Sequence, residues 1–177
     1  MDVKTLCLGI LSLGEATGYE IKKLVADGAF SFFSEASYGS IYPALTKLME
    51  AGLVTCRSQS QDGRPDKKIY SLTAAGEAEL KTNILQSPGP DKQRSEFLAT
   101  VLFSEAVSPE RLTLLLAERK QYHKERIAAL EVMQDDEMSP AGRFVIGYGL
   151  HIQRAALAFL EDEGEALAAL CVPTAAH

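Results

Sequence analysis

The 177-residue chain has no tryptophan, and its three histidines, His123, His151 and His177, are scattered. None stands with a cysteine or carboxylate at metal-ligand spacing, and neither HExxH nor CxxC occurs. His123 and Glu125 are two residues apart and do not share a helical face. Cys7, Cys56 and Cys171 are odd in number and far apart, which argues against a disulfide framework and suits reduced thiols in a cytoplasm. No apolar run reaches the ~18 residues expected of a membrane span. The N-terminal LCLGILSL is short and lacks a cationic flank or cleavage site, so it does not read as a signal peptide. No glycine-rich phosphate loop follows a strand, and Asp135-Asp136-Glu137 reads as a solvated loop. These gaps point away from an enzyme, and no cofactor or metal is expected.

What is present concentrates in residues 38–76, YGSIYPALTKLMEAGLVTCRSQSQDGRPDKKIYSLTAAG. Placing successive residues 100° apart puts Ile41, Ala44, Leu45, Leu48 and Met49 on one side of a helix. Gly39, Ser40, Pro43, Thr46, Lys47 and Glu50 fall opposite, a small and polar face that a duplex can approach closely. Pro43 fits only near the first turn, where its missing N–H has no partner to lose. Gly52 supplies a left-handed stop. Two β-prone runs, 53–57 and 67–72, then flank a polar tip, 58–66, which reads as a hairpin with a long loop. Arg57, Arg64, Lys67 and Lys68 against Asp62 and Asp66 leave this segment at +2. Thr73 caps a further helix carrying Leu80, Ile84 and Leu85.

Upstream, Val3, Leu6, Ile10 and Leu13 recur at helical spacing. Thr17-Gly18-Tyr19-Glu20 has the form of a capping box and opens a second helix, with Ile21, Leu24 and Val25 inward and Asp27-Gly28 as its end. Three helices followed by a hairpin make a winged helix-turn-helix, whose third helix enters a major groove and whose wing lies against a minor groove.

TGYEIKKL (17–24), GSIYPALTKLMEAGLV (39–54), GRP (63–65) and YSLTAAGEAEL (70–80) together resemble the PadR family of bacterial transcriptional regulators. The resemblance covers roughly residues 2–85. It implies a dimeric repressor that binds an inverted-repeat operator in double-stranded DNA and is controlled by a small molecule. Carried onto this chain, it places DNA contacts at Tyr19, Ser40, Tyr42, Pro43 and Lys47, and in the wing at Arg64, Lys67 and Lys68. The competing reading is a winged-helix module that binds protein and has no sequence-specific contact with DNA.

SPGPD (87–91) breaks the helical pattern and divides the chain into a DNA-binding domain, 1–86, and a helical dimerisation domain, 87–177. The expected architecture is therefore mainly α with a small β-hairpin. Three helices are expected in the second half, over 92–106, from Ser108-Pro109 to about Gln134, and from Ser139-Pro140 to about Leu170. The last is apolar on more than one stripe, so a second copy of the chain is the expected cover. The family resemblance implies an aromatic or hydrophobic effector. Phe97, Phe144, Tyr148 and His151 are its candidate contacts, with Phe103, Tyr122 and Phe159 as further wall residues. Residues 1–86 hold nine basic and ten acidic residues, a balance of −1; the remainder holds nine and fourteen, or −5. The acidity lies mainly away from the wing, and charges more than ~8–10 Å apart are screened in physiological salt.

Overall fold

Local caps set the first helices. The Asp2 carboxylate accepts from the Thr5 N–H at 2.8 Å and starts α1, Val3–Ser12. The Thr17-x-x-Glu20 box closes both ways. Glu20 Oε2 accepts from the Thr17 N–H at 2.7 Å, and the Glu20 N–H donates to Thr17 Oγ1 at 3.2 Å. This box opens α2, Gly18–Ala26. The α3 helix, Ile41–Glu50, carries Pro43 as its third residue, inside the first turn. It ends on Gly52 at φ +70°, where the Gly52 N–H reaches Met49 O and the Leu53 N–H reaches Leu48 O, each at 2.9 Å.

Two long strands follow, β2 (Val54–Gln61) and β3 (Arg64–Leu72). A two-residue strand, β1 (Ala16–Thr17), pairs antiparallel with β3, giving the order β1-β3-β2. The wing thus differs from a hairpin with a nine-residue loop, because Ser58–Lys68, Gln59–Lys67 and Gln61–Arg64 are all paired, with an irregularity between Gln59 and Gln61. Main-chain pairing overrides the weak strand preference of these polar residues. Thr73 then caps α4, Ala74–Ile84, through the Gly76 N–H at 3.0 Å. A Cβ at Gly76 would stand 2.0 Å from Leu53 O, so only glycine fits there.

This computed structural model describes residues 1–26, 30, 39–61, 64–90, 94–135 and 137–170, without the side chains of 61, 64, 65, 105 and 170. Asp27-Gly28, Tyr38, Gly63, Asp136, Cys171 and His177 lie outside the described residues. The chain divides into two compact units, Met1–Pro90 and Asp91–His177. In the first, Leu6, Leu8, Ile21, Ile41, Leu45, Leu48 and Tyr70 close one core. Five apolar residues assigned inward by periodicity are instead exposed: Leu13, Leu24, Met49, Ile84 and Leu85. Leu13 and Leu85 are C-cap residues, where the helical spacing no longer holds.

The second unit contains α5 (Glu96–Leu102), a short 3₁₀ turn at Ser104–Ala106, α6 (Pro109–Val132) and α7 (Pro140–Leu170). The helix expected over 92–106 is shorter because Ser95 caps it late and the chain tightens after Phe103. Ser108 caps α6 ahead of Pro109. Helices α6 and α7 form an antiparallel hairpin, in which Leu130 packs on Gly149 and Leu116 on Gly164. Its buried residues include Leu112, Leu116, Leu130, Ile146, Leu150 and Leu160. No helix among the described residues is long and apolar enough to cross a membrane.

Candidate nucleic-acid interface

The starts of α2 and α3 and the strand β3 meet at one side of the first unit. Tyr42, in the first turn of α3, lays its ring on Gly18, where a Cβ would stand only 2.6 Å from Cε1. Its ring is thus half packing and half surface, with 47 % of the residue exposed. Tyr19, the next residue of α2, is 64 % exposed. Pro43, Thr46 and Lys47 are exposed along α3, and Ser40 stands at its N-cap half-buried. Thr46 Oγ1 donates to Tyr42 O at 3.1 Å, so this hydroxyl remains close to the helix. The outward face of α3 is small and carries one cation.

The wing's charges are distributed differently from the bare count. Arg57 Nη2 lies 2.7 Å from Glu15 Oε2, and Lys67 Nζ lies 3.3 Å from Glu20 Oε1. Glu15 Oε1 also accepts from Ser71 Oγ at 2.6 Å. Lys68 is exposed, and among the described residues neither it nor Lys47 makes an ion pair. Arg64 begins β3 opposite Gln61, and its side chain lies outside the described residues. The +2 balance of 57–68 is therefore reduced by two carboxylates from outside that segment.

Glu15 has no role in the sequence reading, and Glu20 has only a capping one. Glu15 lies 42 residues from Arg57, and Glu20 lies 47 from Lys67. No local periodicity connects such positions. Their carboxyls are held below the usual range, Glu15 by the Ser71 hydroxyl and then by Arg57, Glu20 by the Thr17 N–H and hydroxyl and then by Lys67. Both are anionic near neutral pH. Cys7 is buried, which pushes its thiol up to about 12 and keeps it protonated; Cys56 is half-buried, and both are free.

In the second unit, the four effector candidates do not share one place within a single chain. Phe97 packs against the Leu112, Leu116 and Leu160 cluster, with the Arg119 guanidinium 5.3 Å from its ring. Phe144 and Tyr148 are 75 % and 58 % exposed near the start of α7. His151 is exposed there too, with Nδ1 2.7 Å from Gly147 O. Sixteen residues of helix, about 24 Å, separate Phe144 from Leu160 beside Phe97. Together with Ile152, Ala155 and Phe159, Phe144 and Tyr148 form an exposed apolar line at spacings of four, four, three and four. No group of three or more His, Cys, Asp or Glu able to hold a metal ion occurs among the described residues.

Comparison with known proteins matches both units. The model of the transcriptional regulator PadR-like family matches residues 7–82, and that of the virulence activator alpha C-terminal family matches residues 93–170. The negative transcriptional regulator PadR of Bacillus subtilis (strain 168) is 29% identical over 140 residues, 78% of this chain and 76% of that protein. The crystal structure of smu.1604c from Streptococcus mutans UA159 is similar at 33% identity and a TM-score of 0.84, over 92% of this chain and 98% of that one. Bacillus subtilis PadR, solved in complex with operator DNA, is similar at 26% identity and a TM-score of 0.75, over 95% and 98% of the two chains.

Proposed function

This chain belongs to the PadR-like family of transcriptional regulators, and on that premise we propose that it is a cytoplasmic repressor that binds an inverted-repeat operator as a homodimer. The observation that carries the dimer is the apolar line on α7, which one chain leaves in water. Pairing two such lines follows the seam geometry of packed helices. A two-fold dimer would offer two α3 helices to half-sites about one helical turn apart, ~34–36 Å. Tyr19, Ser40, Tyr42, Pro43 and Lys47 would then face the major groove, with Arg64 and Lys68 of the wing against the backbone or minor groove; Lys67, which the resemblance places with them, is engaged by Glu20.

The test is binding of the full chain to DNA upstream of its own gene at two salt concentrations, with footprinting and sedimentation. Dyad-symmetric protection by a dimer is expected. A monomer at micromolar concentration, or protection without a dyad, would reject the proposal. Loss of all salt-dependent binding would favour the protein-binding module instead. Arg64→Ala should weaken binding and lower the salt slope by about one unit. Circular dichroism of that variant should show the fold unchanged.

Release by a small aromatic or hydrophobic effector belongs to the same proposal. Phe144, Tyr148 and His151 share the exposed side of α7, so their cleft would form where two copies meet. Phe97 would be remote from it within each chain. Phenolic acids and hydrophobic cations, screened by thermal shift with and without operator DNA, test this. A true effector must lose affinity on DNA binding by the factor with which it weakens DNA binding.

A further inference from the structure

A surface that holds phosphates with lysine and arginine gains by leaving those cations unpaired. Here two cations of residues 57–68 face a carboxylate instead: Arg57 faces Glu15 and Lys67 faces Glu20. These contacts share one face of the sheet. Arg57 stands opposite Ile69, and Lys67, Ile69 and Ser71 alternate along β3. Ser71 is also bound by Glu15. Both carboxylates come from the connector and first turn of α2, which β1 already fastens to β3.

Stability does not account for the arrangement. The four side chains are 38–56 % exposed, and ion pairs that open to water contribute little to folding. Capping does not account for it either, because Glu20 Oε2 alone serves Thr17 and leaves Oε1 to Lys67. What the two carboxylates do change is the charge available to a duplex.

We propose that Glu15 and Glu20 set the DNA specificity of this protein by holding the sheet to the start of α2 and withholding Arg57 and Lys67 from phosphates. This rests on α3 and the wing being the DNA-facing surface. Non-specific affinity is almost wholly electrostatic, so each cation withheld removes one phosphate contact from every non-cognate complex. Such a complex can slide and tilt until a freed cation finds a phosphate. A cognate complex has its register fixed by α3, and a freed cation there gains only the phosphates already within reach.

The test compares the full-length protein with Glu15→Gln and Glu20→Gln on a random-sequence duplex and on the DNA upstream of its own gene. Glutamine keeps the capping box, because either Glu or Gln closes it. Each variant should bind the random duplex roughly three- to tenfold more tightly at low salt, with a slope steeper by about one unit. Binding to the upstream DNA should change less, so the ratio between the two falls. Adding Lys67→Ala to Glu20→Gln should remove the steepening. Unchanged random-duplex affinity and slope in both glutamine variants would overturn the proposal. Lys47→Ala and Lys68→Ala separate the two readings. If they weaken binding while the glutamine variants do nothing, only this proposal fails. If they too change nothing, the assignment of the DNA-facing surface fails.

Discussion

The two units dispose of their apolar residues in opposite ways. In Met1–Pro90, three helices, the sheet and α4 surround one core, and the largest side chains within it are sealed. In Asp91–His177, α6 and α7 bury a stripe against each other, while Phe144, Tyr148, Ile152 and Phe159 stay exposed along α7. The reason is geometric. A helix hairpin has one internal interface, so a helix apolar on two sides finishes only one of them within the pair. The first unit closes its core in one copy, and the second leaves one face of α7 open. On the proposed reading, recognition of DNA belongs to a self-sufficient fold, and symmetry belongs to an unfinished one.

The sharpest way to break this contrast is a charge on the unfinished face. Ile152→Glu places a carboxylate at a position that is exposed in the single chain, so the fold of each copy should survive. A two-fold seam would receive two such charges, buried without partners. That should raise the dimer dissociation constant roughly a thousandfold, about 4 kcal/mol. Sedimentation equilibrium would read the shift to monomer, and circular dichroism would read retained helix. A dimer of unchanged affinity would mean that α7 is not the seam.

The mirror experiment strikes the finished core. Leu45 lies fully buried on the inner side of α3. Leu45→Ala should cost about 2–5 kcal/mol, transfer and cavity terms together. In calorimetry the loss should fall on the transition of the winged unit, and cross-linked dimer should persist. A loss below about 1 kcal/mol would show that this core relaxes around the gap far more than close packing allows.

The contrast also explains which parts were legible in the sequence. Features held within four residues could be read directly: the Thr17–Glu20 box, the Gly52 stop, the Thr73 cap, and the Ser-Pro starts of α6 and α7. The apolar excess of α7 was also visible, because composition alone reveals a helix with too many apolar sides. Features that depend on distant partners were hidden. The strand β1 exists only because Ala16 and Thr17 pair with Tyr70 and Ile69. Ser58 and Gln59 are strand residues only because Lys68 and Lys67 lie opposite. Glu15 and Glu20 look like surface charges until folding brings them to Arg57 and Lys67. Within the candidate interface, the α3 face was therefore readable, and the charge state of the wing was not.

The smallest effect separates the units by acid. In the winged unit Glu15, Glu20, Glu77 and Asp2 are all held below the usual carboxylate range. Ser71 and Arg57 act on Glu15, Thr17 and Lys67 on Glu20, and Lys81 on Glu77. At Asp2 partial burial pushes upward, and the Thr5 hydrogen bonds outweigh it. In the helical unit Glu110 alone shows such a lowering among the described residues, through its own N–H and Ser108. A carboxylate whose folded pKa is depressed binds its proton less readily in the native state than in the unfolded one. Its contribution is complete above the unfolded pKa, and it fades as pH falls through that value towards the folded one. The unfolding midpoint of the winged unit should therefore drop between about pH 5 and pH 3, while that of the helical unit drops less over the same range. Two probes in one titration decide it: near-ultraviolet signal from Tyr70 and Tyr42 for the first unit, and helical content dominated by α6 and α7 for the second. Glu20→Gln should flatten the first curve and leave the second unchanged. If both units lose stability in parallel with acid, the proposed dimer seam on α7, and not the carboxylate fastenings of the wing, sets the response.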